Sequence, residues 1–197
     1  MLTTREIIEV SAIALVQVAA IVGYRAWSKK LANKDNNIRA NLAKEYPYEG
    51  MRNVALNTVP GAIVANVPDD ETYVYCVVMD WDMGNDMITL VTQITGDANL
   101  YVKSGGGIIG AGKYPGVSNA AQQFTKSAQA LLGNAVAVNA TPLPQQNCVQ
   151  FYLLTNKGKF AGVELMQNIE NKTSAWTSLF AEATNVIGQM RNAAVSG

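Results

Sequence analysis

From Ile7 to Tyr24 the chain reads IIEVSAIALVQVAAIVGY, eighteen residues whose polar interruptions are Glu9, Ser11 and Gln17. At about 1.5 Å of rise per residue, such a helix approaches the thickness of a hydrocarbon core, about 30 Å. Tyr24 and Trp27 close the run, where amphipathic rings favour the membrane–water interface. A basic cluster follows directly: Arg25, Lys29, Lys30, Lys34, Arg39 and Lys44, opposed by Asp35 and Glu45. At the start of the run Arg5 stands against Glu6 and Glu9. This asymmetry predicts an uncleaved single-pass anchor over residues 7–24, with the long C-terminal portion on the cytoplasmic side. Neither a basic leader nor a small-residue cleavage site is evident, which argues against a signal peptide. The competing expectation is a helix packed in a protein assembly, and Glu9 and Gln17 favour it. A glutamate in an apolar run either reaches the interface or pairs with a neighbouring subunit.

The polarity pattern continues beyond the apolar run. Trp27, Leu31, Ile38 and Leu42 recur at spacings of four, seven and four, which predicts a narrow apolar seam on a polar helix reaching residue 45. That seam is expected to pack on the chain's own globular domain, on other subunits or on itself. Tyr46-Pro47-Tyr48-Glu49-Gly50 reads as a turn, and Pro60, Gly61 and Pro68 suggest an extended linker over 46–72.

Residues 73–197 carry the pattern of an α+β domain. Tyr73 to Trp81 (YVYCVVMDW) is a continuous run of strand formers, as in a central strand buried on both faces. Turn residues 82–86 precede a second strand over 87–95, and Gly96-Asp97 precedes a third over 99–104. Val117, Ala120, Ala121, Phe124, Ala128, Leu131 and Leu132 form a helical stripe over 115–132. Two more strands, 148–155 and 159–166, flank the turn Asn156-Lys157-Gly158. A last helix is expected from Thr173 or Ser174, burying Trp176, Leu179, Phe180, Ala183, Val186, Ile187 and Met190. The order βββ-α-ββ-α predicts a mostly antiparallel five-stranded sheet with both helices on one face, an outline that resembles profilin-like and roadblock-like sandwiches.

Composition narrows the chemistry. The chain has no histidine, which removes Ser-His-Asp and Cys-His nucleophile systems and His-containing zinc sites. Fifteen basic residues balance fifteen acidic ones, without the basic surplus that a nucleic-acid binder needs. The balance conceals a division: residues 1–45 hold seven basic and four acidic groups, and 46–197 hold eight and eleven. Cys76 and Cys148 each lie in an apolar strand run, where a buried thiol is expected. No cofactor is implied.

Two segments invite sharper readings. Gly107-Ile108-Ile109-Gly110-Ala111-Gly112-Lys113 fits G-x-x-x-x-G-K between a strand and a helix. Tyr114 stands where Ser or Thr would hold Mg²⁺, and the preceding strand ends an antiparallel meander instead of a parallel βαβ unit. Gly107, Gly110, Gly112 and Lys113 therefore form a weak anion-site candidate; the simpler expectation is that the glycines let the chain cross closely over the sheet. Asp80, Asp82 and Asp86 lie within seven residues, but Gly84 and Val91 fall at ligand positions of a calcium loop, so a polar turn is expected.

The strings VVMDW (77–81), LYVKSGGGIIGAG (100–112), AAQQF (120–124), VQFYLLTNKG (149–158) and SLF (178–180) together resemble an uncharacterised family of small bacterial proteins. That resemblance covers residues 73–190 and implies that the Gly-rich run is a family feature; it supplies no activity and no site residues. A bacterial source, together with the anchor read from residues 7–24, leads to an expected setting in the inner membrane. The function expected is a non-catalytic structural or adaptor subunit of a membrane assembly. The alternatives are a filament subunit, similar in outline to a type IV pilin, and a nucleotide- or anion-responsive module built on residues 105–113.

Overall fold

The computed structural model describes residues 48–63 and 70–196. Residues 7–24 and the seam 27–42 lie outside this range, so Glu9, Gln17, Tyr24, Trp27, Leu31, Ile38 and Leu42 are not placed. Among the described residues, no helix is long and apolar enough to cross a membrane.

The domain is α+β, built on one antiparallel sheet of seven strands. The strands are β1 (Val74–Asp82), β2 (Met87–Gln93), β3 (Ala98–Val102), β4 (Gly107–Ile108), β5 (Val136–Val138), β6 (Cys148–Thr155) and β7 (Gly158–Leu165). They lie in the order β4-β3-β2-β1-β6-β7-β5, so the apolar 73–81 run becomes the middle strand, as its pattern predicts. Four α-helices accompany the sheet among the described residues: α1 (Tyr48–Leu56), α2 (Pro115–Ala128), α3 (Met166–Glu170) and α4 (Thr177–Ser196).

Alternation along β1 separates two cores. Val77, Met79 and Trp81 stand beside Thr92, Leu90 and Ile88 of β2, and beside Leu153, Phe151 and Val149 of β6. Helices α2 and α4 cover this face and pack on each other. Trp81 meets Phe180 edge-on at 4.9 Å between centroids, Phe151 stacks on Trp176 at 5.1 Å, and the buried Thr92 and Thr125 hydroxyls bond at 2.8 Å. The stripe expected for the last helix is in place: Trp176, Leu179, Phe180, Ala183, Val186 and Met190 are buried, and Ile187 is half-buried. The opposite face has its own core, in which Cys76, Val78, Val91, Tyr152 and Leu154 pack with Tyr48, Ala55 and Leu56 of α1.

Four expectations need correction. The sheet has seven strands instead of five, because β4 and β5, of two and three residues, are too short to show a period. Residues 46–72 are not an extended linker throughout: 48–56 form α1, and Pro60–Ala62 a turn of 3-10 helix. Tyr48, Met51, Arg52, Ala55 and Leu56 follow the i, i+3, i+4, i+7, i+8 stripe, but Pro47 and Gly50 beside it resemble a turn. Helices therefore cover both faces, as a middle strand apolar on both sides requires. Finally, α2 ends at Ala128 and gives way to 3-10 turns over 129–134, while α4 begins at Thr177; Ser174 Oγ instead accepts the Trp176 amide at 3.0 Å, ordering the approach to the helix.

Gly162 on β7 shows how tightly the first core closes. A methyl group there would lie 1.9 Å from Cζ2 of Trp176, inside the stacked pair with Phe151. Gly162→Ala is expected to destabilise the domain by about 1–3 kcal/mol, read as a lowered urea midpoint with an unchanged slope, since overpacking a closed core forces its neighbours apart.

Candidate functional site: a buried ion pair, its cleft and the glycine-rich loop

Asp80 has no exposed surface. Its place in β1 follows from alternation: between Trp81 and Met79, which face α2 and α4, it points to the α1 side. A buried carboxylate is tolerable only when paired and fully hydrogen-bonded. Arg52 of α1 supplies the charge, donating from Nε at 2.9 Å and from Nη2 at 2.6 Å, both to Oδ2. Thr89 of β2 donates to Oδ1 at 2.5 Å. With the single hydroxyl proton of Thr89 committed to the carboxylate, the 2.7 Å bond between Thr89 and Tyr48 is one in which Tyr48 donates. Burial lowers the Arg52 pKa, but the hydrogen bonds and charge of Asp80 outweigh it, and the net shift is upward.

The same guanidinium reaches further. Nη2 also donates to the Pro142 carbonyl at 3.2 Å, and the Tyr152 hydroxyl donates to that oxygen at 2.5 Å. The Arg52 carbon lies 5.7 Å from the centre of the Tyr152 ring. One cation thus ties α1, β1 and the loop after β5 together. Beside this knot opens a cleft of about 380 Å³, walled by Val138, Ala140 and Pro142, with Tyr152 and Ala161 of the sheet also lining it. The lining is apolar apart from Asn139 and Gln150.

The other two carboxylates of the 80–86 segment serve the turn. Asp82 Oδ1 accepts the Gly84 amide at 2.9 Å and the Asn147 amide at 3.2 Å. Asp86 accepts the Met87 amide at 2.9 Å, and the Ser104 amide and hydroxyl at 3.1 and 2.5 Å. Among the described residues, no three His, Cys, Asp or Glu side chains come together as a metal site would require. Both cysteines are buried; burial drives the Cys76 thiol up to about 12 and raises Cys148 as well, away from the thiolate form that reacts.

Within the glycine-rich run, Gly107 opens the short strand β4, paired with Tyr101. A methyl group on it would lie 2.2 Å from the Leu100 carbonyl oxygen, and one on Gly112 would lie 2.6 Å from that of Gly96. Gly107 therefore marks close passage of the backbone beside β3, and Gly112 close passage over the β2–β3 turn. Gly110 adopts φ +67° and donates its amide to Asn99 Oδ1 at 2.8 Å. Lys113 is exposed, with Nζ 5.0 Å from the Tyr114 ring centre. The four candidate residues share one loop leading into α2, but they lie at the β3–β4 end of the sheet, away from Arg52 and Asp80.

The ion pair was not legible as a pair. Asp80 reads as part of an acidic turn, and Arg52 falls in a stretch that looks like a linker. The signal that locates them is joint: a carboxylate in the middle of an unbroken apolar strand demands a cation, and the α1 stripe offers Arg52. No family model matches the chain, and no curated protein or solved structure matches it either.

Two outcomes follow from the site. Arg52→Met leaves Asp80 buried without its countercharge, and is expected to cost about 3–5 kcal/mol in urea unfolding. Tyr48, Tyr75, Tyr101 and Tyr152 are each pushed up to about 12, chiefly by burial. A raised acid pKa means the folded state holds its proton longer than the unfolded chain, whose tyrosines ionise near 10. Their contribution is complete below pH 10 and lost as pH rises towards 12. Absorbance titration should show these phenols ionising together with unfolding in that window.

Proposed function

We propose that the chain is a membrane-anchored, non-catalytic structural or adaptor subunit of a larger assembly, held in the bacterial inner membrane by residues 7–24 with its sheet domain in the cytoplasm. The observation that carries this reading is the apolar run followed at once by the basic cluster, since positive charge flanking a span is retained on the cytoplasmic side. The architecture of the domain is in keeping with it. Helix α1 follows residues 1–47 directly in sequence, and it is fastened to the middle strand by Arg52 and Asp80. A load arriving from residues 1–47 would meet a charged clamp at the centre of the sheet instead of an edge that peels.

Glu9 within the apolar run favours a second reading, a filament subunit whose N-terminal helix pairs with its neighbours, and the two differ in topology. In bacterial cells the full chain is expected to pellet with membranes and to resist alkaline carbonate. Ala14→Lys combined with Val18→Lys should release it, because each charge at mid-span costs about 2.5–3.5 kcal/mol. Protease added outside spheroplasts should leave the domain intact; digestion of the domain there favours the filament reading, and release of the unaltered chain by carbonate overturns the anchor.

A further inference from the structure

The two edges of the sheet are finished differently. At one end β4 is two residues long, follows Gly105 and Gly106 at positive φ, and lies between the exposed Lys103 and Lys113. Glycines at positive φ and flanking lysines are devices that keep an edge from pairing with another chain, and β5 has neither. At the other end β5 pairs with β7 on one side, and no described residue pairs with its outer side. Val136 on it is 66% exposed. Residues 127–156, thirty in succession around this edge, contain no Asp, Glu, Lys or Arg.

We propose that β5 is the contact through which two copies of this chain pair, antiparallel about a two-fold axis at Ala137, joining their sheets into one. The argument is self-complementarity. Val136 and Val138 share a face of the sheet, because they stand opposite Ala161 and Lys159, and Ala137 takes the other face. Antiparallel pairing centred on Ala137 sets Val136 of each copy against Val138 of the other, on the face that carries α1 and the apolar cleft. Two β-branched cross-strand pairs result, and Ala137 meets its own counterpart with only methyl groups to accommodate. A charged edge would oppose like charges in such a two-fold pairing; this edge has none to oppose. An isologous contact also closes on itself, giving a dimer and not a fibre. Three residues make a small ladder, and confinement of both copies to one membrane raises the effective concentration at which it forms.

This inference rests on the reading of the chain as an assembly subunit and names one partner, a second copy. Ala137 is exposed and the native thiols are buried, so a new cysteine at 137 is the reactive one. Opposed residues in an antiparallel pair lie about 4.5–5.5 Å apart at Cα, within disulfide reach. In membranes carrying the full chain, Ala137→Cys is expected to oxidise to a covalent dimer about tenfold faster than a control Val54→Cys, whose site on α1 is 72% exposed. Adding Val136→Lys to Ala137→Cys should slow it about tenfold. Cross-linking no faster than the control, or unaffected by the lysine, overturns the pairing. Membrane retention without the cross-link overturns the pairing and leaves the anchor standing; the cross-link in a chain that carbonate releases does the reverse.

Discussion

An ionised carboxylate at the centre of a seven-stranded sheet is costly to bury, and the fold is arranged around meeting that cost at Asp80. Arg52 neutralises one oxygen with two donors, and Thr89 saturates the other. Tyr48 in turn donates to Thr89, and Arg52 and Tyr152 converge on the Pro142 carbonyl. The set is fully connected, as a buried polar network must be if it is to specify one arrangement. Because its members come from α1, β1, β2, β6 and the loop after β5, it determines how the second face is roofed. The ion pair joins α1 to the middle strand at one defined point on a face of Val78, Val91 and Leu154.

The two faces use different physics. Under α2 and α4 the core is aromatic and close-packed, with Trp176 lying flat on Phe151 and passing over Gly162. Its stability comes from burial and shape. Under α1 the core contains tyrosines whose hydroxyls are hydrogen-bonded: Tyr48 to Thr89, Tyr152 to the Pro142 carbonyl, and Tyr75 to the Thr58 carbonyl at 2.7 Å. One face is closed to added volume at Gly162, and the other is held by hydrogen bonds as well as by burial. The proposed pairing involves the second, because Val136 and Val138 of β5 lie on that face.

Most of the secondary structure is legible in the sequence where a period is long enough to see. The strands at 74–82, 87–93, 98–102, 148–155 and 158–165 and the stripes of α2 and α4 follow from apolar runs between turn residues and from helical spacing. Elements of two or three residues carry no period, so β4 and β5 emerge only when the ladder is formed. The α1 stripe is present as residues 48, 51, 52, 55 and 56, but Arg52 within it reads as exposed until Asp80 is seen to need a partner. The glycines of 107–112 pose the same difficulty: spacing resembles a phosphate loop, and only the distances to the Leu100 and Gly96 carbonyls show what glycine accommodates there.

Taken alone, the sequence determined the α+β class, the middle strand apolar on both sides, and the division between an apolar, basic N-terminal segment and an acidic domain. These are properties of local pattern and of charge summed along the chain, and they need no knowledge of what touches what. Only the tertiary structure decided that Arg52 meets Asp80, that α1 covers the second face, and that β5 stands at an edge of the sheet formed by the described residues. Each of these joins residues distant in sequence, and pairing across such distances depends on the order in which strands assemble, which no local period encodes.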